Sequence, residues 1–128
     1  MLVVALVFAI LAALTHVYIF VLESLLWTAP KTRAVFGTSE DEARATRQLA
    51  FNQGFYNLFL AVLVALGAVV ALAADDTVGR TLVVAGTSCM VLAGLVLVLS
   101  DRTKLRSALV QLVTPAVALV ALGVDALH

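Results

Sequence analysis

The chain has 128 residues, of which 63 % are hydrophobic and only 12 % are charged. An ordinary soluble domain is about half apolar and about a quarter charged, so this composition cannot cover a soluble surface. Eight Lys and Arg balance eight Asp and Glu, which argues against a nucleic-acid partner because that role needs a clustered basic excess. Cys89 is the single cysteine, which excludes an intramolecular disulfide and a cysteine-cluster metal site.

Long stretches of the chain contain no Asp, Glu, Lys or Arg, at residues 1–22, 48–74, 81–100 and 107–124. A membrane-spanning helix needs about 20 mainly apolar residues, whereas spanning strands would be shorter and would alternate apolar with polar. The first stretch lacks a basic start and is too long for a cleaved signal, so we expect a retained span. The sequence therefore predicts one all-α transmembrane domain over residues 1–128, with spans at about 2–27, 46–73, 78–100 and 104–125.

The connections between these spans predict how the helices are arranged. The second and third connections are only a few residues long, which forces antiparallel neighbours and predicts an up-down-up-down four-helix bundle of the integral membrane class. The first connection, at about 28–45, is longer. It contains Ser39 three residues before Glu42, a capping-box pattern that predicts a helix beginning near Glu40.

The basic residues predict the orientation of the chain in the cell membrane. Seven lie in the first and third connections and one in the second, namely Lys31, Arg33, Arg44, Arg47, Arg102, Lys104 and Arg106 against Arg80. Because cytoplasmic connections carry the excess of Lys and Arg, we expect a multi-pass protein with both termini outside and with the first and third connections in the cytoplasm. Trp27 is expected to be an anchor at the membrane interface.

Polar side chains inside the first two spans are the candidates for function. His16 and Glu23 are seven residues apart and share one helix face, and Glu23 is the one carboxylate plainly inside a span. Ionisable residues in membranes usually face the bundle interior and mark functional sites. In the second span, Asn52 with Tyr56 and Gln53 with Asn57 repeat at four-residue spacing, so two adjacent ridges of that helix are polar.

A comparison of depths predicts which of these side chains meet. With a rise of about 1.5 Å per residue from Trp27 and from Gln48, Glu23 is expected beside Asn52 and Gln53, and His16 beside Tyr56 and Asn57. Pro115 frees the carbonyl of Gln111 at a similar level in the last span. The predicted ligand-binding set is therefore His16, Glu23, Asn52, Gln53, Tyr56, Asn57 and Gln111.

Two interpretations of this polar set remain open. The side chains either form interhelical hydrogen bonds or line a polar pocket open to the cytoplasm, which would bind or move a small polar or amphipathic molecule. The alternatives are an intramembrane enzyme acting on a lipid-like substrate, with His16 and Glu23 as acid and base, and an accessory subunit of a membrane complex. No cofactor is predicted, and no metal, because one His and one Glu fall short of a ligand set. The expected partners are the lipid bilayer and a small-molecule or lipid ligand, and a homo-oligomer is left open.

The chain resembles a known family over most of its length, and two motifs carry the resemblance. They are His16-Val-Tyr18-Ile-Phe-Val-Leu-Glu23 and Asn52-Gln53-Gly54-Phe-Tyr56-Asn57, and both are similar to the domain-of-unknown-function family 1304. That resemblance implies a small four-helix integral membrane protein in which the same polar residues matter, and it implies no activity.

A second, shorter pattern is similar to the membrane-bound glutathione and eicosanoid enzymes, which are also small four-helix proteins. It consists of Arg44-x-x-Arg47 ahead of the second span. The sequence departs from that family because Phe51 occupies the position of the expected asparagine. Asn52 follows one residue later, which turns its side chain by about 100° around the helix.

Overall fold

The computed structural model describes residues 1–127, and within that range the chain is helical with no strand. The elements in chain order are α1 (Leu2–Phe20), a π-helical turn (Val21–Leu25), α2 (Pro30–Phe36), α3 (Glu40–Ala73), α4 (Asp76–Ser100), a 3₁₀ turn (Arg102–Lys104) and α5 (Leu105–Ala126). Four segments are long and apolar enough to cross a membrane. They are Leu2–Leu25, Glu40–Ala73, Asp76–Ser100 and Arg102–Ala126.

The described chain contains five α-helices rather than the four expected, because α2 forms inside the first connection. Pro30 occupies the first turn of α2, where its fixed φ suits a helix and its missing N–H is not needed. Gly37 ends the helix with φ 62°, a left-handed conformation that glycine adopts at no steric penalty. Both residues were visible in the sequence, but the helix between them is only 7 residues long.

The start of α3 confirms the capping box. The Ser39 side chain accepts a hydrogen bond from the backbone N–H of Glu42 at 3.2 Å, and Glu42 Oε2 accepts from the backbone N–H of Ser39 at 2.9 Å. One turn further on, Arg44 pairs with Glu40. These contacts satisfy the amides of the first turn, so α3 runs without a break through 34 residues.

Small side chains form much of the interior between the long helices. α1 packs against α3 and α5, and α4 packs against the same two helices. Ala5, Ala9 and Ala12 on α1 are fully buried, as are Val64 on α3 and Met90 on α4. Small residues let helix backbones approach closely, which leaves the larger side chains of the long helices on the outer surface.

Asp125 connects three helix ends at one end of the molecule. Asp125 Oδ1 accepts from the backbone N–H of Leu2 at 2.9 Å, and Asp125 Oδ2 accepts from Arg80 Nη1 at 2.6 Å. Arg80 Nε also donates to Asp76, one turn earlier on α4. The beginnings of α1 and α4 therefore lie beside the end of α5.

Candidate functional site

A π-helical turn ends the first long helical segment. The backbone N–H of Leu26 donates to the carbonyl of Val21 at 3.1 Å, a spacing of five residues instead of the four of an α-helix. Glu23 and Ser24 lie within this turn. The turn presents both side chains toward α3, where each of them makes a hydrogen bond.

Gly54 allows α3 to approach this turn closely. Ser24 Oγ donates to the carbonyl of Phe51 at 2.8 Å. A Cβ at Gly54 would lie 2.9 Å from the Ser24 backbone nitrogen and 3.1 Å from the Phe20 carbonyl oxygen, and it would overlap the Ser24 side chain. Any larger residue at this position would push α3 away from the π turn.

The carboxylate of Glu23 is held by an amide from α3. Asn57 Nδ2 donates to Glu23 Oε2 at 2.8 Å and also to the carbonyl of Gln53 at 3.1 Å. Within residues 1–127, no Lys or Arg forms an ion pair with Glu23. The carboxylate is therefore half-buried with a single neutral donor, which is an energetically unfavourable state for a charge unless a cation compensates it.

Trp27 joins three parts of the structure. Its indole Nε1 donates to Thr46 Oγ1 at 3.1 Å, and that hydroxyl donates to the carbonyl of Glu42 at 2.7 Å. The Trp27 ring also packs against the Phe36 ring, with centroids 5.0 Å apart. The indole thus links the end of the first segment to α2 and α3, a role beyond that of an interface anchor.

The end of α2 is attached to the beginning of α5. Lys104 Nζ donates to the carbonyl of Phe36, and Ser107 Oγ donates to the carbonyl of Val35 at 3.4 Å. Carbonyls in the last turn of a helix have no partner within the helix. Donors from the 3₁₀ turn and from α5 satisfy two of them and keep α2 across this end of the molecule.

Two adjoining cavities lie around these contacts. The smaller has a volume of about 430 Å³ and extends along the first turns of α3 to Gln53. The larger has a volume of about 990 Å³ and extends between α1, α2 and α5 to Gln111. Both are lined by Glu23, Trp27, Gly37, Thr38 and Lys104.

The wall of the larger cavity combines charge, hydroxyls and apolar surface. Glu23 is its one carboxylate, and Lys104 and Arg106 are its basic groups. Its apolar wall includes Ile19, Leu22, Leu97 and Val110. Such a wall can accommodate a molecule with a polar head and an apolar body, because binding pockets are mainly apolar with a few placed polar groups.

The predicted polar residues fall into two groups in the structure. Glu23 lines both cavities, Gln53 lines the smaller, Gln111 lines the larger, and Asn57 holds Glu23 from outside the cavity walls. His16, Asn52 and Tyr56 line neither cavity.

Three of the residues outside the cavities, His16, Asn52 and Tyr56, have different surroundings from Asn57. His16 is buried, with 1 % of its surface exposed, and its Nδ1 donates to the carbonyl of Ala12 at 2.9 Å. Tyr56 is 64 % exposed on the outer surface of α3, and Asn52 is exposed one turn before it. An acid–base pair of His16 and Glu23 facing one substrate therefore has no support from the cavity geometry.

The contact of Glu23 differs from the expected pairing by one helical turn. The depth comparison placed Asn57 beside His16, but Asn57 donates to Glu23. The reason is that the comparison counted α-helical residues back from Trp27. The helical segment ends at Leu25 after a π turn, so Trp27 is not a valid reference level.

Several cavity residues were missed by sequence reasoning. Lys104 and Arg106 were used only for orientation, Trp27 was taken as an anchor, and Thr38 and Ser107 were not considered. The sequence gives only a weak indication that these residues line a cavity, because each lies in or beside a connection, where polar residues are common. The one useful indication was the pair Pro30 and Gly37, which bounds the helix that covers the cavity.

The described residues contain no group of three or more His, Cys, Asp or Glu side chains that could hold a metal ion. The basic groups and the carboxylate come from different elements, so the arrangement of α2 and α5 relative to the π turn determines the spacing between them.

Comparison with known protein families identifies the family of the chain. The family model described as protein of unknown function (DUF1304) matches residues 10–123. The chain belongs to the DUF1304 family. The matched range of this DUF1304 protein contains every residue that lines the two cavities. Neither the curated proteins nor the solved structures contain a match to the chain.

Proposed function

We propose that this protein is an integral membrane protein that binds or moves a small amphipathic molecule in the cavity between α1, α2 and α5. The observation that carries the proposal is the larger cavity of about 990 Å³, because pockets of about 300–1,000 Å³ hold drug-sized ligands. Glu23 and Gln111 lie on its wall together with apolar residues of α1 and α5.

The proposed membrane arrangement is an up-down-up-down bundle with both termini outside. Leu72, Leu99 and other large apolar side chains cover the outer surface, which suits contact with lipid. The contacts of Asp125 with Leu2 and Arg80 support helices that alternate in direction. The excess of basic residues in the first and third connections supports a cytoplasmic position for the cavity, because those connections form one side of it.

Individual residues have proposed roles in binding. Glu23 provides the charge of the site, Gln111 and Gln53 orient the polar part of the ligand, and Asn57 positions Glu23. His16, Asn52 and Tyr56 were predicted to belong to the same set. Their contribution would be indirect, since His16 is interior and the other two are on the outer surface.

A cavity-filling variant tests the proposal. Val110 and Val113 are both exposed valines on α5, but only Val110 lines the cavity. The protein would be purified in lipid nanodiscs after incubation with a total lipid extract, and native mass spectrometry would detect bound amphiphiles. We expect a one-to-one adduct in the wild type and in Val113→Trp, and its loss in Val110→Trp. An adduct that persists in Val110→Trp would show that the cavity is not the binding site.

Paired tyrosine variants separate the cavity from the outer face of α3. Tyr18 lines the larger cavity, whereas Tyr56 does not. In the same assay, Tyr18→Phe is expected to reduce the adduct and Tyr56→Phe to leave it unchanged. The reverse result would move the site to the outer surface of α3 and contradict the proposal.

A further inference from the structure

The larger cavity has opposite charges on different elements, and they are not paired with one another. Lys104 interacts at longer range with the carboxylates of Glu42 and Asp101, and Arg106 is exposed. Glu23 comes from the π turn, Lys104 ends the 3₁₀ turn, and Arg106 lies at the start of α5. Lys104 donates to the carbonyl of Phe36, and Glu23 accepts from the amide of Asn57. No ion pair among residues 1–127 involves any of these three charged groups.

Glu23 is half-buried and has no ion-pair partner, so it favours a ligand that supplies a positive charge, and the basic residues across the cavity can hold a negative one. Removing a charge from water is unfavourable, and an opposite charge nearby offsets that loss. A cationic group of a ligand would offset Glu23, and an anionic group would offset Lys104 and Arg106. One ligand bearing both charges would satisfy the two sides of the cavity together.

Aromatic side chains near Glu23 strengthen the argument for a cationic group. Tyr18, Trp27 and Phe36 line the same cavity as the carboxylate. Aromatic rings attract cations through their π-electron density, and aromatic residues are the usual partners of quaternary ammonium groups. The hydroxyls of Thr103 and Ser107 line the side that carries the basic residues, but each already donates a hydrogen bond, to Asp101 and to Val35. An anionic group there would therefore be held by Lys104 and Arg106.

We propose that the ligand of this cavity is a zwitterionic amphiphile with an ammonium group, an acidic group such as a phosphate, and one apolar chain. The ammonium group contacts Glu23 among the aromatic residues, the acidic group contacts Lys104 and Arg106, and the apolar chain lies along Ile19, Leu97 and Val110. This inference rests on the proposed function, because it assigns a ligand class to the same cavity.

Trp27 provides a direct readout of binding. It is the single tryptophan of the chain and lines both cavities. The protein would be held in nanodiscs of phosphatidylglycerol, so that every ammonium group offered as a ligand belongs to the added probe. Trp27 fluorescence would be titrated with hexylphosphocholine, hexyl phosphate, hexyltrimethylammonium and hexyl maltoside, whose short chains keep them in solution.

We expect the four probes to differ in affinity and each of two variants to weaken only some of them. Hexylphosphocholine should bind about tenfold or more tightly than each probe with a single charge. Glu23→Gln should weaken hexylphosphocholine and hexyltrimethylammonium about tenfold and leave hexyl phosphate unchanged. Arg106→Gln should weaken hexylphosphocholine and hexyl phosphate and leave hexyltrimethylammonium unchanged.

Matched variants control for general charge effects. Arg102 and Glu40 are exposed and line neither cavity, so Arg102→Gln and Glu40→Gln should leave all four affinities unchanged. Circular dichroism of each variant would establish that the helices are intact.

The other outcomes overturn the inference in distinguishable ways. If hexyltrimethylammonium binds as tightly as hexylphosphocholine and Arg106→Gln has no effect, the ligand is cationic and the zwitterion is wrong. If all four probes bind equally and Glu23→Gln changes no affinity, the cavity binds amphiphiles whatever their charge. The zwitterionic ligand is then wrong, and the proposed function stands. If no probe changes the Trp27 fluorescence and no native lipid adduct is found, the proposed function fails as well.

Discussion

The hydrogen bond between Asn57 and Glu23 links the two family motifs in space. Glu23 ends the first motif and Asn57 ends the second, and their side chains meet at 2.8 Å. Glu23 was identifiable from the sequence because it is the one carboxylate inside a predicted span, at about 2–27. Its partner Asn57 could not be identified in the same way, because an error of one helical turn in the depth comparison selects a different residue on the same helix face.

Replacement of Asn57 is expected to destabilise the protein through Glu23. Asn57→Ala removes the amide donor and leaves a half-buried carboxylate oxygen without a partner, which costs about 1 to 3 kcal/mol. Unfolding in mixed detergent micelles measures this loss. In the Glu23→Gln background the same substitution should cost less, because the group left behind is neutral, and equal losses in both backgrounds would refute the coupling.

Gly54→Ala is expected to destabilise the contact between α3 and the π turn. The added methyl group overlaps Ser24 and approaches backbone atoms, and overpacking of this kind costs about 1 to 3 kcal/mol. Gly123 is a matched control, because a Cβ there meets nothing within 4 Å. Gly123→Ala should be neutral or stabilising by up to about 1 kcal/mol, and a thermal shift of equal size in the two variants would contradict the close contact.

At the scale of elements, boundaries with a local chemical signal were predictable and boundaries set by tertiary contacts were not. The beginning of α3 followed from Ser39 and Glu42 alone, since a capping box needs only neighbouring residues. The π turn at Val21–Leu25 and the attachment of α2 had no such signal. Both depend on groups from distant elements, as in the contacts of Ser24 with Phe51 and of Lys104 with Phe36.

Removal of the Lys104 ammonium group is expected to loosen α2. Lys104→Met keeps much of the apolar stem but leaves the Phe36 carbonyl without this donor, a loss of about 1 kcal/mol for local opening. Hydrogen–deuterium exchange of the α2 amides should accelerate several-fold. Arg102→Met removes a positive charge from the same connection without this contact and should leave α2 unchanged. Unchanged exchange in Lys104→Met would mean that other contacts hold α2.

At the scale of the whole molecule, composition was the strongest predictor of the fold class. The scarcity of charge and the length of the apolar stretches predicted four membrane-crossing helices, and four segments meet those criteria in the structure. The sequence could not predict how far apart the helices sit around α2, because cavity volume depends on the packing of side chains from several elements. The location of the two cavities at the end that carries α2 is therefore a structural finding, and a binding role for Glu23 on their walls stays a prediction.

Cysteine labelling tests the proposed orientation. Cys89→Ser removes the single native cysteine, and Thr28, Thr77 and Thr103 are exposed residues of the three connections or their edges. In intact cells, a membrane-impermeant maleimide should label Thr77→Cys and spare Thr28→Cys and Thr103→Cys. All three should react after the membrane is permeabilised. Labelling of Thr28→Cys in intact cells would reverse the orientation.

The π turn has a consequence for the evolution of this site by changes in chain length. A π turn holds one more residue than the α-helical turn it replaces, so it is equivalent to a single-residue insertion absorbed within the helix. Deleting Leu22 would restore an α-helical turn, in which the residues beyond the turn keep nearly their present orientation and the residues within it, including Glu23, take new positions. The carboxylate would move relative to the cavity wall although Glu23 itself had not been substituted. In related chains, spacing in this turn is therefore as informative as the identity of the acidic residue.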